Sequence, residues 1–197
     1  MALLALVRHG QSTWNKEERF TGWTDVPLTP LGEEEAKEAA AKLNNHHFSM
    51  AFCSELERAK KTLQIILKED HLTLPITYTH ALNERDYGDL VGKTHVEVIK
   101  EFGKKQYEGW HRSWDIRPPH GESLKDTHTR VMNYFNEQIL PELNKGKNVL
   151  VVSSGNGLRA LRKEIDDITD SAIAYLEIPT GSVDLYEVSK SRFKKLS

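Results

Sequence analysis

Short apolar runs alternate along the chain with longer segments in which apolar residues recur at helical spacing. The runs at 3–7, 50–54 and 147–154 predict buried strands, because a continuous apolar run of this length suits a strand covered on both faces. Residues 76–84 and 182–189 are also strand-like. Strands that alternate with helices favour a largely parallel sheet between helical layers. We therefore predict an α/β fold, a three-layer α/β/α sandwich with a mainly parallel sheet and a small cap region over the strand ends.

The predicted helices lie between these strands. The first covers the segment around 28–45, with Thr29 as its N-cap and Pro30 at its first helical position. Further helices are predicted at 55–70, 123–143 and 156–165. The chain length suits one domain, 1–197, in which an irregular segment at about 83–120, with one short helix at 95–102, forms the cap.

Composition narrows the class of protein. With 28% charged residues and a formal net charge of -2, the chain has no basic field that would attract nucleic acid or a membrane surface. No apolar stretch approaches the roughly 20 residues of a membrane span. The single cysteine, Cys53, excludes an internal disulfide and suits a reducing compartment, so we expect a cytoplasmic protein.

Polar side chains that suit phosphate chemistry follow the predicted strands at their carboxyl ends. In chain order they are Arg8 and His9, then Ser54 and Arg58, then Glu84 and Arg85, then Ser154, Gly155 and Asn156. Because parallel strands end at one edge, these groups would form an electropositive pocket that suits an anionic phosphate ester. A histidine among arginines, without metal-ligand spacing nearby, indicates a nucleophile that takes up a phosphoryl group.

Five segments resemble motifs of the cofactor-dependent phosphoglycerate mutases, in the histidine phosphatase superfamily. They are "LVRHGQSTWN", "FTGWTDVPLT", "LNERDYGDLVGK", "PPHGESLKDT" and "SGNGLRAL", and they occur in the family's order between about residues 3 and 181. The resemblance implies interconversion of 3-phosphoglycerate and 2-phosphoglycerate through a phosphohistidine. It also implies 2,3-bisphosphoglycerate as the phosphoryl primer, no metal, and a small phosphorylated substrate.

The resemblance assigns roles to individual residues. It implies that His9 is the phosphorylated residue and that Glu84 is the general acid and base. Arg8, Arg58 and Asn15 would bind the transferred phosphoryl group. The positions implied for the rest of the substrate are Thr21, Gly22, Arg85, Tyr87, His95, His111, Arg112, Gly155 and Asn156.

The chain departs from the family motifs around the substrate. The family's Ala-His-Gly-Asn-Ser is here Ser153 to Gly157, so that Ser154 stands at the second catalytic histidine. A serine hydroxyl donates a hydrogen bond but carries no positive charge, and the loss of one such donor typically costs about 10²–10³ in rate. His95 stands where the family has lysine, with Lys93 a candidate replacement, and His111 stands where the family has arginine.

The sequence, with its departures from the family motifs, leaves three functions open. The chain is a phosphoglycerate mutase, with activity reduced by Ser154; or a histidine phosphatase for another small phosphate ester; or a catalytically inactive relative that binds a phosphorylated ligand or a partner protein. A homodimer is compatible with each. The C-terminal segment 189–197 is either a phosphate-facing tail or a solvated end.

Histidines at positions 95 and 111 also predict pH sensitivity. A histidine of ordinary pKa, about 6.5, loses its charge through neutral pH. Phosphoglycerate affinity is therefore expected to weaken between about pH 6 and 8.

Overall fold

Six strands form one sheet in the computed structural model, which describes residues 1–197. The strands are β1 (Ala2–Arg8), β2 (Met50–Ser54), β3 (Ile76–Thr79), β4 (Val149–Ser153), β5 (Val183–Ser189) and β6 (Arg192–Lys195). Their order across the sheet is β3-β2-β4-β1-β5-β6. The first four of that order run parallel, whereas β5 and β6 run antiparallel to their neighbours. The carboxyl ends of β1 to β4 therefore meet at one edge.

Helices cover both faces of this sheet. They are α1 (Thr13–Lys16), α2 (Pro30–Leu43), α3 (Glu57–Glu69), α4 (His95–Phe102), α5 (Lys104–Arg112), α6 (Leu124–Tyr134), α7 (Leu140–Asn144) and α8 (Gly155–Ile165). Leu4 and Leu6 of β1 pack with α6 and α8 residues, while Ala5 and Val7 pack with residues of α2 and α3. This alternation gives two cores, and it confirms the predicted α/β/α sandwich with a mainly parallel sheet.

None of the helices combines the length and the apolar character that crossing a membrane would require.

The structure corrects three predicted elements. β3 ends at Thr79, and a 3₁₀ turn follows it where the strand was expected to run on to residue 84. The long helix expected at 123–143 widens into a π segment at Phe135–Ile139. Pro141 explains this widening, because proline lacks the backbone N–H and its ring crowds the preceding turn. The expected irregular segment contains a second helix, α5.

The C-terminal segment was expected to be a tail or a solvated end, and it forms β6 instead. Lys190 and Ser191 link β5 to β6 with φ values of 49° and 59°, as a two-residue type I′ hairpin turn requires. Neither residue gives the usual Asn-Gly signal of such a turn, so the hairpin had no clear sequence signature. Beyond β6 the chain continues along β5, since Leu196 donates its backbone N–H to the carbonyl oxygen of Leu185 at 2.8 Å.

A small separate core supports the region over the strand ends. Phe20, Tyr87, Leu90, Val98 and Trp110 are buried together, with Val98 on α4 and Trp110 on α5. Thr94 caps α4 through a capping box with Glu97, which starts the helix directly at His95. The cap helices therefore place His95 and the end of α5 above the sheet edge.

Two glycines allow the loop after β1 to lie directly against α2. A Cβ on Gly10 would be 2.0 Å from the carbonyl oxygen of Gly32, and a Cβ on Gly32 would be 2.1 Å from the carbonyl oxygen of Gln11. Thr29 also bonds this loop, since its hydroxyl donates to Gln11 Oε1 at 2.9 Å. The position of the chain just after His9 thus depends on the absence of two side chains.

We expect Gly32→Ala to reduce the free energy of unfolding by about 3 kcal/mol, because the added methyl group meets backbone atoms that cannot move aside. Gly109→Ala is the matched control: this helical glycine would meet only the Ile116 side chain, at 3.4 Å. The control should be neutral or stabilising by up to about 1 kcal/mol. Urea unfolding of both variants provides the measurement, and equal effects would contradict the close contact.

Candidate functional site

His9 lies at the carboxyl end of β1, with its ring held in one orientation. The side chain is 1% exposed, and Nδ1 lies 2.7 Å from the carbonyl oxygen of Gly10. That oxygen can only accept, so Nδ1 carries the proton and Nε2 carries the lone pair. Burial, followed by the charges of Arg58 and Arg8, lowers the pKa of His9 well below 6.5. The ring is therefore neutral, with a nucleophilic nitrogen directed away from Gly10.

Two buried arginines flank this nitrogen. Arg58 Nε donates to His9 Nε2 at 3.1 Å, and its other nitrogens donate to the carbonyl oxygens of Thr24 and Gly22. Arg8 donates through Nη1 to the carbonyl of Ile178, and its buried Nε has no partner. Burial lowers the pKa of Arg8, and it lowers the pKa of Arg58 to about 10, so both remain charged at neutral pH. The arrangement presents two cations and a free N–H beside the nucleophile.

Glu84 supplies a carboxylate to the same cavity. Its Oε1 accepts from the backbone N–H of Arg85 at 2.7 Å and of Asn156 at 3.2 Å. The second bond comes from the first turn of α8, where unpaired N–H groups point towards the sheet edge. Asn156 also donates to the Tyr87 hydroxyl at 3.1 Å. Glu84 is thus held in place on one side and open to the cavity on the other.

The cavity encloses about 580 Å³ at this edge of the sheet. The structure brings together most of the predicted site residues along its wall: Arg8, His9, Asn15, Thr21, Gly22, Arg58, Glu84, Tyr87, His95, His111, Arg112, Gly155 and Asn156. Arg85 and Ser154, which were also predicted, do not line it.

Arg85 supports the cap rather than facing the cavity. Its guanidinium is fully buried, and Nη2 donates to the carbonyl oxygens of Trp110 at 2.9 Å and His111 at 3.1 Å. The guanidinium also lies 4.5 Å from the centre of the Tyr87 ring. These contacts hold the last turn of α5, so the structure does not support the expected substrate contact of Arg85.

Ser154 is the N-cap residue of α8, and its hydroxyl is buried without a hydrogen-bond partner. The neighbouring departures from the family motif are linked to each other. The Ser153 hydroxyl donates to the carbonyl oxygen of Leu82 at 2.7 Å, and a Cβ on Gly157 would lie 2.3 Å from that hydroxyl. Serine at 153 thus suits glycine at 157, because a side chain at 157 would meet the Ser153 hydroxyl.

His95 and His111 form an aromatic wall of the cavity instead of a cationic one. Their ring centres are 4.8 Å apart, and Phe20 and Tyr107 pack against them. Burial lowers the pKa of His95, and burial together with the charge of Arg112 lowers the pKa of His111 to about 2. Burial therefore favours the neutral form of both rings, and for His111 the predicted loss of charge between pH 6 and 8 is wrong for the free protein.

Lys93 does not replace the missing lysine. Its Nζ pairs with Glu101 at 2.5 Å and lies outside the cavity lining.

Several lining residues were not predicted from the sequence. Arg159 donates to Asn156 Oδ1 at 2.9 Å, one turn along α8, so a helical-spacing argument from Asn156 would have found it. Glu18 and Arg19 lie in the loop after α1, and Glu177 lies on a segment at 176–180 that also lines the cavity. This segment comes from a distant part of the sequence, and only the tertiary fold brings it to the site.

No group of three or more His, Cys, Asp or Glu side chains is arranged to hold a metal ion.

The neutral state of His9 and His111 makes stability depend on pH. Unfolding returns each ring to a pKa of about 6.5, so below that pH the unfolded chain binds protons that the folded chain does not. As the pH is lowered below about 6.5, the free energy of unfolding is thus expected to fall by up to about 1.4 kcal/mol per pH unit for each ring. His111→Phe keeps an aromatic ring but cannot be protonated, so it should remove the contribution of one histidine to the change of unfolding free energy with pH. Urea titrations between about pH 6 and 4.5 measure it, and an unchanged slope in the variant would count against the buried neutral ring.

A family model matches nearly the whole chain. Residues 4–197 match the model of the histidine phosphatase superfamily (branch 1).

Two bacterial relatives share nearly half of their residues with this chain. A protein of Cytophaga hutchinsonii, named 2,3-bisphosphoglycerate-dependent phosphoglycerate mutase, is 49% identical over 189 residues, which cover 96% of this chain and 89% of the relative. A Gloeobacter violaceus protein, named 2,3-bisphosphoglycerate-dependent phosphoglycerate mutase 2, is 48% identical over 179 residues, covering 90% and 82% respectively.

Solved structures share the fold at lower identity. YhfR of Bacillus stearothermophilus superposes with a TM-score of 0.88 at 26% identity, covering 99% of this chain and 95% of that one. The alpha-ribazole phosphatase from Shigella flexneri gives a TM-score of 0.85 at 26% identity, covering 98% and 94%. The fold and the order of its elements are therefore those of this superfamily.

Proposed function

The chain belongs to the histidine phosphatase superfamily, and on that premise we propose that it is an enzyme that interconverts 3-phosphoglycerate and 2-phosphoglycerate through a phosphohistidine at His9. The observation that carries the proposal is the state of His9: a buried, neutral imidazole whose Nε2 faces Arg58 and whose Nδ1 proton is bound by Gly10. The relatives at 48% and 49% identity are named as mutases that depend on 2,3-bisphosphoglycerate, which supports the same reaction and substrate.

The reaction uses His9 and Glu84 in turn. Phosphorylated His9 gives its phosphoryl group to the free hydroxyl of the substrate, and the proton of that hydroxyl passes to Glu84. His9 Nε2 then takes the phosphoryl group from the other position, and Glu84 returns the proton to the departing oxygen. Arg8 and Arg58 face the phosphoryl oxygens, where they offset charge in a loose transition state.

The residues present fit a small ligand that carries phosphate at the His9 end. The buried Nε of Arg8 has no partner within the protein, and the start of α8, whose N-cap residue makes no side-chain cap bond, lies beside the Arg8 guanidinium. A Cβ on Gly155 would lie 3.4 Å from the Arg8 guanidinium carbon, so the start of α8 is close to this cation. Bound 2,3-bisphosphoglycerate supplies the phosphoryl group that primes His9, and Arg8, Arg58 and Asn15 would hold that group.

Ser154 reduces the stabilisation of negative charge on the transferred phosphoryl group. Its hydroxyl is neutral and lies behind the cavity wall, so the positive charge that a histidine at this position would bring is absent. The two arginines remain, and the proposal is a mutase with a low turnover number.

We expect the unmodified chain to convert 3-phosphoglycerate to 2-phosphoglycerate when primed with 2,3-bisphosphoglycerate, and Ser154→His to raise kcat by about 10² or more. A coupled assay with enolase measures both. Ser154→Ala is the matched control and should stay within a few-fold of the unmodified chain, because the serine hydroxyl makes no contact that alanine would lose. His9→Asn should abolish turnover and phosphorylation alike.

Two results would contradict the proposal. Absence of turnover in both the unmodified chain and Ser154→His would exclude the mutase reaction at this site. Full turnover in His9→Asn would exclude the phosphohistidine.

A further inference from the structure

Two arginines of the cavity are bound by neighbouring residues of one segment. Arg8 Nη1 donates to the carbonyl oxygen of Ile178, and Arg112 Nη2 donates to Glu177 Oε1 at 2.8 Å. Arg8 comes from the end of β1, whereas Arg112 is the last residue of α5 in the cap. The segment 176–180 therefore contacts both the His9 end of the cavity and its outer end.

Glu177 brings a negative charge to a place where an anionic ligand needs a positive one. Its carboxylate and the guanidinium of Arg112 both line the cavity. Arg19, another outer cation, is paired with Glu17 at 2.6 Å and lies near Glu97 at 3.9 Å. The aromatic wall of His95 and His111 adds no charge at neutral pH. In the free protein each outer cation named here already has an acidic partner.

The pair between Arg112 and Glu177 is open to exchange. The Glu177 side chain is 73% exposed and the Arg112 side chain is 38% exposed, so the pair is weakly held and screened by solvent. Water reaches the carboxylate, which can leave Arg112 without being buried elsewhere. Thr180, at the other end of the segment, is tied to Glu35 Oε1 at 2.8 Å, so the backbone of the segment stays anchored when the Glu177 side chain moves.

We propose that Glu177 is a specificity-determining residue, whose carboxylate occupies Arg112 in the free protein and is displaced by the second anionic group of the ligand. This inference rests on the proposed function, because it takes the ligand to carry one phosphate at the His9 end and a further anionic group at the outer end. Glu177 then weakens binding of doubly anionic ligands and leaves binding at the His9 end unchanged.

The test compares 2,3-bisphosphoglycerate with inorganic phosphate by isothermal titration calorimetry. Glu177→Gln should bind 2,3-bisphosphoglycerate about two- to five-fold more tightly than the unmodified chain, the range expected for an exposed ion pair, and should bind phosphate equally. The gain should shrink at about 0.5 M salt, where exposed charges are screened. Glu34→Gln is the matched control, since Glu34 pairs with Lys37 at 2.7 Å with 64% of its side chain exposed and lies outside the cavity lining.

A double-mutant cycle isolates the contact with Arg112. In an Arg112→Gln background, Glu177→Gln should give a clearly smaller gain in affinity for 2,3-bisphosphoglycerate, because only the repulsion between carboxylate and ligand is then removed. The inference is overturned if the full gain persists in that background, if phosphate gains equally, or if Glu34→Gln gives the same gain. All titrations are made in a His9→Asn background, which cannot take up the phosphoryl group, so these constants do not depend on turnover. A chain that binds as expected but shows no mutase activity with His9 present would then count against the proposed function alone.

Discussion

The hydrogen bond from His9 Nδ1 to the Gly10 carbonyl is the contact on which the site depends. It selects the tautomer, and the tautomer decides which nitrogen can attack. The carbonyl itself is held because Gly10 lies against Gly32 at a distance that no side chain would allow. The tautomer of one imidazole is thus linked to the packing of the loop after β1 against α2.

Buried cations shape the rest of the cavity. Arg8 and Arg58 donate their hydrogen bonds within the protein to carbonyl oxygens and, for Arg58, to His9, while the charge of Glu84 favours the charged form of both without a direct hydrogen bond. Partial negative charges of this kind stabilise a guanidinium without cancelling it, so the cation remains available to a phosphoryl oxygen. Glu84 is held in a complementary way, by backbone N–H groups that stabilise a carboxylate without adding a competing full charge.

Residues close to strand ends could be predicted from the sequence, because parallel topology alone brings them to one edge. This holds for His9, Arg58, Glu84 and Asn156. The prediction was wrong where burial decides the outcome: the ring charge at position 111 depends on an aromatic cluster built from three separate segments, the loop at Phe20, α4 and α5. Glu177 was missed for a similar reason, since its segment approaches the site only in the folded chain. The hairpin to β6 was missed because its turn uses Lys190 and Ser191 in place of residues that favour positive φ.

The linked positions 153 and 157 limit the order in which this site can change by single substitutions. With serine at 153, any side chain at 157 requires the buried hydroxyl to rotate and give up its bond to Leu82. Gly157→Ala on its own therefore costs that hydrogen bond, whereas Ser153→Ala removes the hydroxyl that a side chain at 157 would meet. Single substitutions at the two positions avoid the clash only when the change at 153 comes first.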